Sequence, residues 1–164
     1  MTERIQVVDL LSSLQREWPE MGRRVQPAVP YLYRARDQLF DDLVRRLAPE
    51  GLLPADLDVL VALRTQPPPR ELTPTVLYRS LFLSSGGLTK ILARLEGDGL
   101  IERPANPRDG RSRLVRLTEA GERRLDEVAV GVIEHEREFL APLAPEEQRE
   151  LTRLLAKLVQ GQGA

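Results

Sequence analysis

The chain of 164 residues contains no cysteine and a single histidine. Without cysteine there are no disulfides, thiolate nucleophiles, Cys-ligated zinc or thiol redox sensing, so any sensing must act through ligand binding. The histidine, His135, lies in the charged helical stretch EHERE, and we expect it to be an ordinary surface or interface residue. A catalytic triad or a histidine-based metal site is therefore hard to build here.

Long apolar runs and common catalytic motifs are also missing. The sequence has no apolar run of about 18 residues, and its first residues lack the apolar block and cleavage site of a signal peptide. The SSGG run at residues 84–87 lacks the lysine placement of a phosphate-binding loop, and no metal-ligand spacing is present. We therefore predict a soluble cytoplasmic protein that is not an enzyme and holds no metal or cofactor.

Net charge is only −1, but it is unevenly distributed. Residues 79–116 hold eight Arg or Lys against four Asp or Glu, whereas residues 117–164 hold six against ten. A local positive excess of this kind is typical of a surface that meets nucleic acid.

The positive stretch begins with a predicted amphipathic helix over residues 84–97. Ser84 is its predicted N-cap, and Gly97 and Gly99 supply the left-handed conformation that ends helices. One apolar face is formed at i, i+3, i+4 and i+7 by Leu88, Ile91, Leu92 and Leu95. The other face carries Ser85, Thr89, Lys90 and Arg94.

A two-stranded ribbon is predicted after this helix, from residues 100–103 and 113–117, with turn-forming residues between them. Its tip carries Arg108, Asp109, Gly110, Arg111 and Arg113. Guanidinium groups on such a tip could enter a minor groove, where the negative potential is strong. A solvated charged loop is the alternative, and the preceding helix favours the DNA interpretation.

Further helices are predicted on both sides of this region. Thr73 and Pro74 predict the start of a helix over residues 74–81, which with the next helix forms a helix-turn-helix. Together with a helix over residues 54–64, it gives a winged helix-turn-helix at residues 54–117, and the fold class is mainly α with a small β-hairpin wing. Other predicted helices cover residues 7–18, 31–47 and 118–140, and a last helix carries Leu151, Leu154, Leu155 and Leu158.

The flanking segments, residues 1–53 and 118–164, are too long to pack entirely on the small winged helix-turn-helix at residues 54–117. We predict that they form a homodimer, although they could instead fold back within one subunit. A twofold dimer would place two recognition helices roughly 34 Å apart on double-stranded DNA and would bind a palindromic site.

Residues 72–121 resemble the MarR family of bacterial transcription regulators. The wing pattern D-x-R-x-x-x-V-x-L-T-x-x-G is present from Asp109 to Gly121, and the passage R-L-E-x-x-G-L-I-x-R from Arg94 to Arg103. The resemblance implies a homodimer, a recognition helix at residues 84–97, and a wing arginine, Arg111, that Asp109 orients toward a minor groove. Ser85, Gly87, Thr89, Lys90 and Arg94 would meet the major groove or nearby phosphates, unless Arg94 pairs with Asp109.

Family members commonly act as repressors that a small, often aromatic and acidic, ligand releases from DNA. The N-terminal stretch LLSSLQREWPEMG resembles an extension of branches that include urate-responsive members. Trp18 is therefore a candidate pocket residue, and its alternative role is packing at the dimer interface. The remaining residues of such a site have no clear match, so this ligand is not carried over.

A second class of function also fits a winged helix, namely a protein-interaction module without DNA binding. Such a module would not need the arginines at the predicted tip, Arg108, Arg111 and Arg113.

Overall fold

A computed structural model describes residues 5–81, 85–109 and 112–161. Its helices are α1 (Val7–Glu17), α2 (Pro19–Gly22), α3 (Ala28–Leu47), α4 (Pro54–Arg64), α5 (Pro74–Ser80), α6 (Ser85–Gly97), α7 (Glu119–Leu140) and α8 (Pro145–Gln160). Its strands are β1 (Glu71–Leu72), β2 (Ile101–Glu102) and β3 (Val115–Leu117). The chain divides into two units, residues 1–43 and 44–164.

The first unit contains α1, α2 and most of α3. The Arg34 guanidinium donates a hydrogen bond of 2.8 Å to the Ile5 carbonyl oxygen and so ties α3 to the start of the chain. α3 begins three residues before the predicted start at Tyr31. Pro30 lies in its first turn, where backbone N–H groups have no partner within the helix, so a proline is tolerated there.

α4 is at the centre of the second unit and contacts α5, α6, α7 and β3. Its bounds match the predicted helix, but the predicted apolar face was wrong in part. Val61, assigned to that face, is 43% exposed, whereas Val59 is fully buried. A helix with neighbours on several sides buries more than one stripe, so a single-face pattern does not describe it.

Three short antiparallel strands form one sheet in the order β1-β3-β2. Ile101 lies opposite Leu117, and Glu71 lies opposite Arg116. The sequence predicted two strands and missed β1, because two residues after a proline run show no alternation. β2 and β3 are shorter than predicted, although an isolated bridge between Ala105 and Arg113 extends the ribbon.

Thr118 joins α7 to the sheet and to the turn after α6. Its Oγ1 accepts a hydrogen bond of 3.0 Å from the Gly121 N–H, as expected of an N-cap. The same hydroxyl oxygen lies 2.8 Å from the Gly99 carbonyl oxygen, to which it donates. Gly99 has a φ of 71°, the left-handed conformation predicted for it, whereas Gly97, for which the same was predicted, is the last residue of α6 and does not adopt it.

His135 is buried, so the surface alternative of its prediction was wrong, while the interface alternative stays a prediction. The prediction relied on its charged neighbours in the EHERE stretch. In α7, however, His135 follows Leu125 and Val128 by ten and seven residues, and these helical spacings place all three on the buried face.

α8 has an apolar stripe but buries none of its 16 residues. Its exposed large side chains are Leu154, Leu155, Leu158 and Val159. Within the described part of the chain, no helix is both long and apolar enough to cross a membrane.

Candidate DNA interface

α6 presents one buried and one exposed face, as predicted. The buried side chains are those of the apolar pattern, Leu88, Ile91, Leu92 and Leu95. Thr89 and Lys90 are exposed on the other side, and Gly87 is half-buried. Ser84 lies outside the described residues, as does the side chain of Ser85. The accessible polar surface of α6 therefore includes a hydroxyl and an ammonium group, both suited to phosphates or base edges.

α5 precedes α6 and packs against α4. Its predicted cap is confirmed, since the Val76 N–H donates to the Thr73 hydroxyl oxygen over 3.3 Å. At the other end of α6, the Leu100 N–H donates to the Leu95 carbonyl oxygen over 2.9 Å and closes the helix. The start of α5 and the end of α6 are thus both fixed by local hydrogen bonds, and these two points bound the helix-turn-helix.

Arg94 makes an ion pair with Asp56, a partner that neither sequence alternative named. Its Nη2 donates to Oδ1 of Asp56, which lies in the first turn of α4 and is fully buried. The other carboxylate oxygen, Oδ2, accepts from the Leu53 N–H over 2.7 Å. The pair therefore links α6 directly to α4.

Asn106 organises the ribbon tip, a role that the sequence analysis missed. Its side-chain amide donates to the Ser112 hydroxyl over 2.8 Å, and its side-chain oxygen accepts from the Arg108 N–H over 3.0 Å. An asparagine two residues before the N–H that it binds is typical of an Asx turn, so Asn106-Pro107 was an available signal.

Arg108, Asp109 and Arg113 are exposed near this tip. The predicted minor-groove residue, Arg111, lies outside the described residues, together with Gly110. The described part of the tip thus adds two exposed guanidinium groups to the ammonium group of α6.

At the base of the ribbon, Arg116 bridges carboxylates on both neighbouring strands. Its guanidinium donates to Glu71 over 2.7 Å and to Glu102 over 3.0 Å. The hydrogen bond to Glu71, followed by that to Glu102, raises the pKa of Arg116 above its ordinary value, against the opposing effect of desolvation. The positive charge of Arg116 is thus compensated by these two carboxylates, and the side chain links all three strands of the sheet.

Trp18 lies between α1 and α2 in the first unit and is 56% exposed. A large exposed indole suits either predicted role, since both a ligand and a second subunit could cover it. Among the described residues, no cluster of three His, Asp or Glu side chains could hold a metal ion.

Comparison with known proteins places this arrangement in a family. The sequence model of the MarR family matches residues 50–112. The chain is 28% identical over 160 residues to the HTH-type transcriptional regulator PecS of Dickeya dadantii, covering 96% of this chain and 95% of PecS. It is 30% identical over 115 residues to YwoH of Bacillus subtilis, an uncharacterized HTH-type transcriptional regulator, covering 70% of this chain and 81% of YwoH.

A solved structure extends the likeness to three dimensions. The crystal structure of Sco3205, a MarR family transcriptional regulator from Streptomyces coelicolor in complex with DNA, matches with a TM-score of 0.74 and 28% identity. The match covers 82% of this chain and 84% of Sco3205. The chain belongs to the MarR family: it is a winged-helix, DNA-binding transcription regulator and not an enzyme.

Proposed function

We propose that the protein is a ligand-responsive repressor that acts in the cytoplasm as a homodimer on a palindromic operator. The observation that carries the proposal is that the polar face of α6 is exposed while its apolar face is buried, in a chain whose ribbon tip also exposes arginines. Sco3205, which shares this fold, is a DNA complex in its crystal. Residues 54–117 would form the reading domain.

The DNA contacts that we propose lie on α6 and on the wing, which is the ribbon at residues 101–117. Thr89 and Lys90 are exposed and would meet the major groove or adjacent phosphates, together with Ser84, Ser85 and Gly87 near the start of the helix. Arg108, Arg111 and Arg113 would place guanidinium groups at a minor groove, with Asp109 orienting the tip.

Dimerisation through residues 1–53 and 118–164 is supported by the unburied apolar side chains of both segments. α8 is strongly two-sided yet buries no residue against its own chain. In the first unit, α1 buries only Val7. Amphipathic helices of this kind pack their apolar faces against a partner, and a second copy of the chain supplies matching faces.

A ligand would act by binding one arrangement of the dimer more tightly than the DNA-competent one. A small aromatic or acidic effector is the ligand class that we propose. Trp18 would line its site, and the exposed indole offers a flat apolar surface for stacking. As the only tryptophan, it also gives an unambiguous fluorescence signal for screening such compounds.

The deciding experiment is selection of bound sequences from a randomised duplex pool, followed by fluorescence anisotropy on the enriched site. A palindromic site is the expected result. No enrichment above salt-sensitive background, from protein shown to be folded, would contradict sequence-specific reading.

We expect Arg111→Ala to weaken operator binding by about 1–3 kcal/mol, because the guanidinium is proposed to enter a minor groove. Anisotropy titration of the parent and variant on the same duplex measures the change. The matched control is Arg123→Ala, which removes an exposed arginine from α7. An unchanged affinity for a correctly folded Arg111 variant would remove this residue from the interface.

Lys90→Ala is expected to lower affinity for all duplexes and to make the dependence on salt shallower. Removing one phosphate interaction reduces the slope of log K against log salt concentration by about 0.9. Titrations at four salt concentrations give the slope. A slope identical to that of the parent would show that Lys90 does not meet phosphate.

A further inference from the structure

Asp56 is a fully buried carboxylate with both oxygens engaged in hydrogen bonds. Oδ2 accepts from the Leu53 N–H at the start of α4, and Oδ1 accepts from Arg94 in the last turn of α6. A buried carboxylate is tolerated only when its charge is compensated and its oxygens are bonded. Asp56 therefore both caps one helix and holds a second one.

Arg94 lies on α6 one turn after Lys90, so its Cα belongs to the same polar side of the helix. The two side chains nevertheless differ in environment. Lys90 is exposed, whereas Arg94 is 38% exposed and paired with Asp56. An arginine whose charge is compensated by a buried carboxylate is a poor phosphate ligand, because leaving the carboxylate would strand a buried charge.

The Arg94–Asp56 pair is placed where it can fix the position of α6 relative to α4. α4 contacts α5, β3 and α7 as well as α6, so it is the common support of the reading unit. An arginine forms a planar, directional bond to carboxylate, and this restricts rotation and sliding of the bonded helix. The bond lies near the C-terminal end of α6, beside the turn that leads to the wing.

We propose that Asp56 and Arg94 are positioning residues for DNA reading, and that Arg94 adds no phosphate contact. The pair holds α6 at the angle at which its exposed face meets the major groove. This inference rests on the proposed reading role of α6. It assigns a function to Asp56, which no sequence pattern singled out, and it replaces the direct DNA contact considered for Arg94.

The test is a double-mutant cycle with Asp56→Asn, Arg94→Gln and both together, measured by anisotropy on the selected operator and on an unrelated duplex. Each single variant should bind the operator about tenfold more weakly, and the double variant should bind no more weakly than either single one. Affinity for the unrelated duplex should change less, and the salt slope should stay at the parent value.

Amide hydrogen exchange separates positioning from general destabilisation. In the free protein, each single variant should exchange faster over residues 88–95, while α7 keeps the parent rate. If Asp56→Asn does not fold, the same measurements are compared between Arg94→Gln and Arg94→Lys. These variants should fold, because Arg94 is partly exposed. Arg94→Lys keeps the charge and should recover part of the operator affinity.

Three outcomes would overturn the inference. A shallower salt slope for Arg94→Gln, with full affinity for Asp56→Asn, would make Arg94 a direct phosphate contact. Effects that multiply in the double variant would make the two residues independent, and uniformly faster exchange in α7 would make the pair a general stabiliser. The selection experiment is the control for the proposed function: if the parent protein enriches no operator, the reading role of α6 fails instead, whereas an unchanged affinity and slope for Lys90→Gln would remove only that one contact.

Discussion

Gly121→Ala should destabilise the protein by about 3 kcal/mol, because the new methyl group has no space. A Cβ at this position would overlap the Leu100 carbonyl oxygen and lie 2.8 Å from Cδ1 of Leu117. The carbonyl cannot retreat freely, since it accepts a hydrogen bond of 3.1 Å from the Thr118 N–H. Urea unfolding followed by circular dichroism measures the change in the free energy of unfolding.

Gly131→Ala is the matched control, since it makes the same change in the same helix. Apart from its chain neighbours and the adjacent backbone of α7, no heavy atom of the described residues lies within 4 Å of a Cβ built there. We expect this variant to gain about 0.5–1 kcal/mol from the higher helix propensity of alanine. Equal effects of the two substitutions would contradict the close approach of α7 to the turn after α6.

The second large effect is expected from Leu158→Glu on α8. Leu158 is exposed in the single chain, so the subunit should fold, but in the proposed dimer its side chain would be covered. Two uncompensated carboxylates per interface should raise the dimer dissociation constant by at least about 100-fold. Analytical ultracentrifugation over a concentration series measures it, and operator affinity should fall in parallel.

Ala156→Glu serves as the control because it adds the same charge to the same helix on the opposite side. We expect it to dimerise as the parent does. A Leu158 variant that remains dimeric at the lowest measurable concentrations would contradict the assignment of α8 to the interface. Monomers that bind the operator with full affinity would contradict the dimeric reading unit itself.

Local signals were sufficient to predict much of the fold. α4 begins at Pro54 and ends at Arg64, as predicted, and the caps at Thr73 and Thr118 are confirmed by their hydrogen bonds. Each of these features depends on residues within one helical turn, where steric and capping preferences act directly. The apolar face of α6 was predicted for the same reason, since it follows from helical spacing alone.

The features that were missed depend on residues far apart in the chain. β1 exists because residues 71–72 pair with β3, more than 40 residues later. Asp56 looked like an ordinary first-turn carboxylate, and only its distance to Arg94 gives it a further role. His135 was judged by its neighbours in sequence, whereas burial depends on what lies across from it. No single-sequence pattern carries these pairings.

If α7 moves as a rigid rod, its joint at Thr118 makes it a lever arm on α6, the proposed reading helix. α7 has 22 residues and is therefore about 33 Å long, so a 3 Å shift at its Leu140 end corresponds to a tilt of about 5°. The Thr118 hydroxyl and N–H bond the carbonyl oxygens of Gly99 and Leu100, so a tilt that these bonds transmit in full would turn the end of α6 by the same angle. Over the roughly 20 Å of α6 it displaces one end by about 1.7 Å. Hydrogen bonds to base edges tolerate only a few tenths of an ångström, so in the proposed complex such a small motion at the distant end of α7 would be sufficient to break the contacts of α6 with the groove.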